Sequence, residues 1–217
     1  MKKKFLKRIL SSIILIPITF IVIFTGSYLF NIFIALCLLI TIYEWSLMSK
    51  NKSYSIIGYL FLLFSFYSIY FVRNELDDKG LFIFFFIILI CIFTDIGGYL
   101  FGKVLKGPKL TKISPNKTYA GVLGSFLLSL IILFCLDSFN TYFKYNLQKF
   151  EFNYFLFVLI ISSVSQIGDI IVSYFKRLSK IKDTGKLIPG HGGILDRIDG
   201  MIFAYPFFYI LYLFFNF

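Results

Sequence analysis

A series of apolar runs, each long enough to cross a bilayer, constrains the fold of this chain most strongly. About 20 apolar residues in a helix span the roughly 30 Å hydrocarbon core. Inside lipid a backbone must satisfy its own hydrogen bonds, so each run is expected to be helical. The sequence predicts an all-α, polytopic membrane protein that forms a single integral membrane domain over residues 1–217. About seven transmembrane helices are predicted, at residues 9–25, 27–43, 55–72, 81–101, 121–136, 152–174 and 200–216.

Cationic residues predict which side of the membrane each loop occupies. Of the 22 Lys and Arg residues, 18 fall in residues 1–8, 44–54, 102–118 and 174–199, which share one side if seven helices cross in turn. Cytoplasmic loops collect Lys and Arg, so the N-terminus is predicted to be cytoplasmic. The net charge of +11 is therefore attributed to membrane topology, and no nucleic-acid partner is predicted. No clear cleavage motif follows the first run, so an uncleaved first span is expected rather than a signal peptide.

The sixth apolar run carries a polar stripe. Ser165, Asp169, Ser173 and either Lys176 or Arg177 recur at steps of three to four residues, which places them on one face of a helix. An acid near the centre of a span costs about 2.5–3.5 kcal/mol. Asp169 is therefore expected to face the bundle interior or a wet cavity. A structural carboxylate paired with a neighbouring helix is the alternative.

The fourth run ends in "FTDIGGYLFGK", which contains a second intramembrane acid, Asp95. Gly98 and Gly102 form a GxxxG step in the same segment, and this step favours close packing of two helices. A lone acid near the end of a buried helix needs a partner. The segment is therefore predicted to bring Asp95 into contact with a neighbouring polar element.

The loop after the fourth run is rich in lysine, with five between residues 103 and 117. Anionic lipid headgroups are one partner for such a loop. Lys117 differs from the others because it stands in "SPNKT", where a Pro-Asn turn is expected. Ser114, Lys117 and Thr118 are predicted to donate hydrogen bonds to a phosphate there.

Residues 173–200 form the densest polar segment, "SYFKRLSKIKDTGKLIPGHGGILDRIDG". Gly190, Gly192 and Gly193 would allow backbone N–H groups to approach an anion closely. His191 is the only histidine, and it could position a substrate, transfer a proton or brace the loop. The cations predicted to serve phosphates in this segment are Lys176, Arg177, Lys182, Lys186 and Arg197.

The acids at the end of this segment predict a metal site. Asp196 and Asp199 lie at positions i and i+3 where the last helix begins, so they share a face. With Asp169, and with Asp95 as a further candidate, they are predicted to bind Mg²⁺, which prefers carboxylate and phosphate oxygens. No cysteine spacing typical of zinc is present. The cysteines are predicted to be packing residues, and they are Cys37, Cys91 and Cys135.

The spacing of residues 173–199 resembles a known signature. The pattern S-x-F-K-R, four residues, K-D-x-G, two residues and I-P-x-H-G-G-I-x-D-R-I-D resembles that of the phosphatidate cytidylyltransferases, also called CDP-diacylglycerol synthases. The segments D-x-G-G-Y-x-x-G from Asp95 and S-P-x-K-T-x-x-G from Ser114 resemble the same family. The resemblance covers residues 95–217, which are predicted to be the catalytic portion with cytoplasmic loops 102–118 and 174–199, and residues 1–94 are predicted to be N-terminal spans.

The resemblance implies the reaction of CTP with phosphatidate to give CDP-diacylglycerol and pyrophosphate, in phospholipid biosynthesis. It also implies Mg²⁺, a multi-pass protein of the inner membrane with its active site facing the cytoplasm, and a homodimer. The sequence departs from the family pattern at Ala120, where the family usually has an acid, and in its short N-terminal half. Two other functions are considered, a CTP-dependent kinase acting on a polyprenol-type lipid and a non-catalytic membrane transporter.

Site residues are predicted as follows. The residues predicted to act in catalysis are Asp169, Lys176, Arg177, His191, Asp196, Arg197 and Asp199. The residues predicted to bind substrate are Ser114, Lys117, Thr118, Ser173, Lys182, Gly190, Gly192 and Gly193.

Overall fold

Helices form all the regular secondary structure that the computed structural model describes. It describes residues 2–76, 79–111, 114, 117–143, 152–188, 190 and 192–215. Within these ranges only isolated bridges, and no strands, accompany the helices. The helices are α1 Lys2–Thr25, α2 Ser27–Ser49, α3 Ser55–Asn74, α4 Gly80–Leu105, α5 Tyr119–Phe143, α6 Phe152–Leu178, α7 Leu195–Ile198 and α8 Met201–Phe215. The prediction of an all-α protein is confirmed.

The first six predicted apolar runs each lie within one helix, α1 to α6, and these helices extend further, whereas the last predicted run, 200–216, begins one residue before α8. The helix α2 continues to Ser49 and α6 to Leu178, several residues beyond the predicted ends. Helical hydrogen bonding continues along the chain after the apolar pattern stops, because a helix can leave the hydrocarbon without ending. Among the residues that the structure describes, four helices are long and apolar enough to cross a membrane, namely α2, α3, α4 and residues Tyr154–Leu178 of α6. Shorter apolar stretches lie in α1, α5 and α8.

The helix α4 is the centre of the bundle. It contacts α3, α5, α6 and α8, and its side chains of Phe84, Ile87 and Ile90 are buried in the larger apolar cluster. In contrast, many large apolar side chains of α2 and α3 are exposed, including Leu39 and Ile57. Such faces are typical of helices that contact lipid. Asp95 lies on this central helix, and its side chain remains exposed.

Glycines bring α4 and α5 into close contact. A Cβ atom on Gly97 would collide with the backbone of Gly124, and one on Gly121 would lie 2.9 Å from the carbonyl oxygen of Gly98. The same atom would lie 3.6 Å from the Cα of Gly102. The predicted role of the GxxxG step in helix packing is confirmed. As a consequence, the turn of α4 that carries Asp95 lies beside the first turns of α5.

Hydrogen bonds from small hydroxyl side chains join neighbouring helices. Ser125 donates a hydrogen bond to the carbonyl oxygen of Thr94 at 2.7 Å, which joins α5 to α4. The hydroxyls of Thr94 and Ser162 are 2.8 Å apart, which joins α4 to α6. Ser65 on α3 donates to the carbonyl oxygen of Ile202 on α8 at 2.8 Å. Such bonds are common between membrane helices and contribute about 0.6 kcal/mol each on average.

The cysteines that the structure describes are packing residues, as predicted. Cys91 is buried in the larger apolar cluster, and Cys37 packs against a second cluster that contains Trp45. Both are free thiols. The side chain of Cys135 lies outside those that the structure describes.

Candidate active site

A cavity of about 350 Å³ lies between α4, α5, α6 and the segment that leads into α8. Its volume falls in the range usual for small-molecule sites. Each of its walls carries charged or hydroxyl side chains from a different element. Predicted site residues in the lining are Asp95, Ser114, Lys117, Thr118, Asp169, Asp196 and Asp199. The tertiary structure therefore brings together all four carboxylates that the sequence singled out, from positions far apart in the chain.

Lys117 and Asp169 pair across the cavity. The Lys117 Nζ lies 2.6 Å from Oδ2 of Asp169, and both side chains remain about a quarter exposed, at 24% and 29%. Ser173, one turn further along α6, donates to the other Asp169 oxygen at 3.2 Å. Asp169 thus faces the cavity, as predicted, and it also has an ion-pair partner, which lies in the loop before α5 and not on a neighbouring helix. The pair joins this loop to the middle of α6.

Asp196 has both of its carboxylate oxygens engaged. Lys176 Nζ lies 2.9 Å from Oδ1, while the backbone N–H groups of Thr184 and Gly193 donate to Oδ2 at 2.8 and 3.0 Å. Burial alone would raise the pKa of Asp196, but the hydrogen bonds from Lys176 and from the two N–H groups outweigh it and hold the pKa below its usual value. Asp196 therefore stabilises the conformation of the loop around it.

A glycine is required next to Asp196. Gly192 has a φ of +90°, a backbone conformation that other residues rarely adopt, and a Cβ there would lie 2.6 Å from Oδ2 of Asp196. In the structure the N–H of Gly193 is used by Asp196. These two glycines shape the loop around the carboxylate, and phosphate binding by the glycine loop stays a prediction.

Asp199 is in the opposite electrostatic situation. It accepts a hydrogen bond of 3.0 Å from the N–H of Gly200, yet its pKa lies well above the usual value. Burial is the main cause, the negative charges of Asp169 and Asp95 add to it, and Lys176 opposes it. Ionisation of Asp199 is therefore disfavoured in the cavity, first by burial and in addition by repulsion from the two neighbouring acids. A bound cation would relieve that repulsion.

The donor set of the cavity fits Mg²⁺ better than it fits a metal held by protein alone. Within the described part of the chain, no three His, Cys, Asp or Glu side chains form a group that could hold a metal ion by themselves. Mg²⁺ usually takes one or two carboxylates and completes its coordination with water and substrate phosphates. Asp199, Asp169 and Asp95 are oxygen donors of the required kind, and they line one cavity.

The other predicted residues lie outside the cavity lining. Lys176 is buried behind Asp196, so it is Lys176 rather than Arg177 that continues the polar stripe of α6. Arg177 is exposed and donates to the carbonyl oxygen of Ile181 at 3.3 Å, near the end of its helix. His191 lies outside the described residues. Predicted residues that are exposed and are not part of the lining are Lys182, Lys186, Gly190 and Arg197.

One buried acid was missed by the sequence analysis. Glu44 is only 2% exposed and accepts a hydrogen bond from Thr184, in the loop that carries Asp196. It was assigned to the loop after the second span because the predicted span ended at residue 43. The criterion applied to Asp95 and Asp169, a lone acid in an apolar helix, would have found it once the true end of α2 was known.

Comparisons with known proteins indicate one family. The model of the Cytidylyltransferase family matches residues 6–78 and 55–215. A phosphatidate cytidylyltransferase of Rickettsia typhi is 32% identical over 213 residues, which cover 96% of this chain and 92% of that protein. One from Rickettsia felis is 34% identical over 209 residues, covering 94% and 91%. One from Staphylococcus aureus is 37% identical over 175 residues, covering 77% and 64%.

The match also includes helices that the sequence motifs did not reach. The resemblance was expected to begin near Asp95, but the family match begins at residue 6. The chain is short beside the Staphylococcus aureus relative and close in length to the Rickettsia typhi one. Since the match extends over almost the whole sequence, the chain belongs to the cytidylyltransferase family.

Proposed function

We propose that this protein transfers the CMP moiety of CTP to phosphatidate, giving CDP-diacylglycerol and pyrophosphate in phospholipid biosynthesis. The observation that carries the proposal is the cavity in which Lys117 and the carboxylates of Asp95, Asp169 and Asp199 meet. The relatives described above bear the name phosphatidate cytidylyltransferase. A site that handles two phosphorylated substrates needs cations and carboxylates together, because the carboxylates can hold a divalent ion.

The chemistry is a displacement at the α-phosphorus of CTP. An oxygen of the phosphatidate phosphate forms a new P–O bond there, while the bond to the β-phosphate oxygen breaks and pyrophosphate leaves with its electron pair. The second pKa of a phosphate monoester is about 6, so much of the nucleophile is already dianionic at neutral pH. No strong base is needed. The protein must instead align two polyanions and offset their repulsion.

Lys117 is the cation best placed for this task. It lines the cavity together with Ser114 and Thr118, and it now pairs with Asp169. We assign phosphate binding to this group, since an ammonium and two hydroxyls donate to phosphate oxygens. Thr118 also accepts a hydrogen bond from the N–H of Gly121 at 3.1 Å, which anchors it at the start of α5.

We assign the binding of Mg²⁺ to Asp199 together with Asp169 or Asp95. When bound, the ion would neutralise phosphate charge and act as a Lewis acid. Asp196 was predicted as a further ligand, but one of its oxygens pairs with Lys176 of α6 and the other accepts two hydrogen bonds from loop N–H groups. We therefore assign Asp196 to positioning. Asp199, whose ionised form is disfavoured by burial and by neighbouring acids, is therefore the acid that we assign to bind the ion.

We further propose that the chain crosses the inner membrane seven times with the N-terminus and the active site on the cytoplasmic side. The cation-rich segments 102–118 and 174–199 both contribute to the cavity region, which supports one common side. Tyr99 lines the cavity and is 65% exposed, so the site is open beside an apolar helix face. Phosphatidate would keep its acyl chains in the bilayer while its headgroup enters laterally. A homodimer, implied by the family resemblance, would be measured from the mass of the solubilised protein.

Purified protein in detergent with Mg²⁺, labelled CTP and phosphatidate tests the reaction. We expect pyrophosphate release that depends on both substrates, with label recovered in CDP-diacylglycerol. A polyprenol-type kinase would instead phosphorylate a lipid alcohol and release CDP, and a transporter would release no pyrophosphate. Failure to form CDP-diacylglycerol, under conditions in which the Rickettsia typhi relative is active, would overturn the proposal.

A further inference from the structure

Glu44 connects the second helix to the loop that carries the signature acids. It lies on α2, and its side chain is almost fully buried. One carboxylate oxygen accepts hydrogen bonds from the Thr184 hydroxyl at 2.8 Å and from the Leu195 N–H at 2.9 Å. The other accepts from the Ile194 N–H at 2.9 Å. Three donors of one loop therefore converge on a single carboxylate.

The loop backbone closes tightly around this carboxylate. A Cβ atom on Gly185 would lie 2.8 Å from Oε1 of Glu44, and one on Gly193 would collide with Glu44 and with the Thr184 hydroxyl. The two glycines lie on opposite arms of the loop, eight residues apart in sequence. Glu44 thus occupies the space between the two arms, and both arms need the absence of a side chain to reach it.

Glu44 and Asp196 use alternating donors of the same loop. Thr184 gives its hydroxyl to Glu44 and its N–H to Asp196. The N–H of Gly193 goes to Asp196, while that of the next residue, Ile194, goes to Glu44. One carboxylate comes from the loop itself and the other from a distant helix. Displacing Glu44 would therefore release the loop on the side that Asp196 does not hold.

The same helix end makes a second contact with the start of this segment. Ser179, just after α6, donates to the carbonyl oxygen of Met48 at 2.6 Å. Met48 lies four residues after Glu44, one turn along α2. The last turns of α2 thus contact both the beginning and the end of the chain segment between α6 and α7. The positions of Asp196 and Asp199 are tied to α2 in this way.

We propose that Glu44 is a positioning residue of the active site, which fixes residues 184–195 so that Asp196 and Asp199 face the cavity. Its kinetic consequence rests on the proposed function, whereas the effect on the loop can be measured without any activity. Glu44 itself is absent from the cavity lining, so it acts through the loop and not on a substrate.

The first variant is Glu44→Gln, which keeps the size of the side chain. The amide oxygen can still accept, but the NH₂ group would face donors where an acceptor is needed. We expect kcat per folded molecule to fall by about 10- to 100-fold, the usual cost of removing a partner that orients site ligands. The KM for phosphatidate should remain unchanged, because Lys117 lies on the opposite wall. Glu75→Gln is the matched control, because Glu75 is exposed.

Thr184 gives a second variant pair that does not alter the buried charge. Thr184→Val removes the hydroxyl that donates to Glu44 and leaves the backbone N–H that serves Asp196. We expect a fall in kcat, and Thr184→Ser should restore most of it. In a Glu44→Gln/Thr184→Val double variant the losses should not add, because both substitutions break the same contact.

Limited trypsin digestion reports the loop without any assay of catalysis. Lys186 is an exposed cleavage site within the loop, Lys182 is exposed just before it, and Lys52 is an exposed reference site elsewhere. We expect Glu44→Gln and Thr184→Val to speed cleavage after Lys186 relative to Lys52, while Glu75→Gln behaves as the wild type.

The two proposals fail in different ways. An active wild type whose Glu44→Gln variant keeps normal kcat and normal cleavage would overturn the positioning role. An inactive wild type whose variants show faster loop cleavage would overturn the proposed function and still support the positioning of the loop by Glu44.

Discussion

The two walls of the cavity are built on different principles. The helix wall, formed by α4, α5 and α6, is held by glycine contacts and by hydroxyl bonds such as that between Thr94 and Ser162. The loop wall, formed by residues 184–199, is held by the carboxylates of Glu44 and Asp196. Close packing can fix helices because their own backbone bonds are satisfied. A loop has free N–H groups, so buried carboxylates can organise it.

This difference divides the aspartates into two kinds. Asp196 accepts the donors of the loop, and its pKa is lowered. Asp199 lies three residues later among like charges, and its pKa is raised. A carboxylate whose two oxygens are already engaged by donors stabilises the protein structure. A carboxylate that lies among like charges is available to a cationic ligand. The following variants test whether the two kinds are separable.

Asp199→Asn should have the largest effect on activity. We expect turnover to fall by at least about 100-fold, the scale associated with losing one group that stabilises transition-state charge. The melting temperature at neutral pH should hold or rise, because an amide removes a buried like charge. Near-normal pyrophosphate release by this variant would exclude Asp199 from the site.

The sign of the pH dependence follows from the raised pKa of Asp199. Its contribution to stability is complete below the unfolded pKa of about 3.9 and is lost as pH rises through the higher folded pKa. The gain in melting temperature from Asp199→Asn should therefore be larger at pH 8 than at pH 5. An equal gain at both values would contradict the assigned cause.

Asp196→Asn should have the largest effect on stability. Removing one partner of the buried pair leaves Lys176 with an uncompensated charge, which typically costs about 3–5 kcal/mol. Because the folded pKa of Asp196 is lowered, its stabilisation is present above the unfolded pKa and is lost as pH falls through the folded value. Melting curves of wild type and variant should therefore differ most at neutral pH and converge in acid. A constant difference would show that charge is not the cause.

Gly97→Ala tests the helix wall, with Gly98→Ala as its matched partner. The methyl group that Gly97→Ala adds would meet backbone of α5, which cannot move aside, whereas the one that Gly98→Ala adds would lie 2.9 Å from the rotatable hydroxyl of Ser125. We expect Gly97→Ala to cost about 1–3 kcal/mol, as overpacking usually does, and Gly98→Ala to cost less. Equal melting temperatures for the two variants would contradict close backbone packing of α4 and α5.

Gly192→Ala tests the contribution of the loop wall to activity, with Gly107→Ala as its matched control. Gly192 and Gly107 both have a positive φ, of +90° and +102°, but a Cβ on Gly107 would have nothing within 4 Å. Both variants carry a similar backbone strain of about 1–3 kcal/mol. Only Gly192→Ala also disturbs Asp196, so we expect it alone to lower kcat. The same kcat in both variants would remove the loop wall from the active site.

Much of this architecture could be predicted from residue patterns. Runs of apolar residues predict helices because lipid leaves a backbone no other partner. The GxxxG step of Gly98 predicted close packing of two helices, although it did not show that the partner is α5. Asp95 and Asp169 could be singled out because an acid in an apolar helix is costly. These features depend on residues close in sequence. Glu44 was missed because the predicted second span ended at residue 43. Glu44 was therefore assigned to a loop, where charged residues are common.

The sequence by itself determined that the chain is helical, apolar enough for a membrane, and a member of one family. Only the tertiary structure decided that Asp196 holds the loop while Asp199 is available to a ligand. It also decided that Lys176, and not Arg177, forms the ion pair with Asp196. The physical reason is that the partners of a carboxylate include groups that only folding brings to it, such as Lys176 of α6 beside Asp196. Asp196 and Asp199 share a motif, but burial and neighbouring charge differ around each of them, and no spacing within the motif encodes that difference.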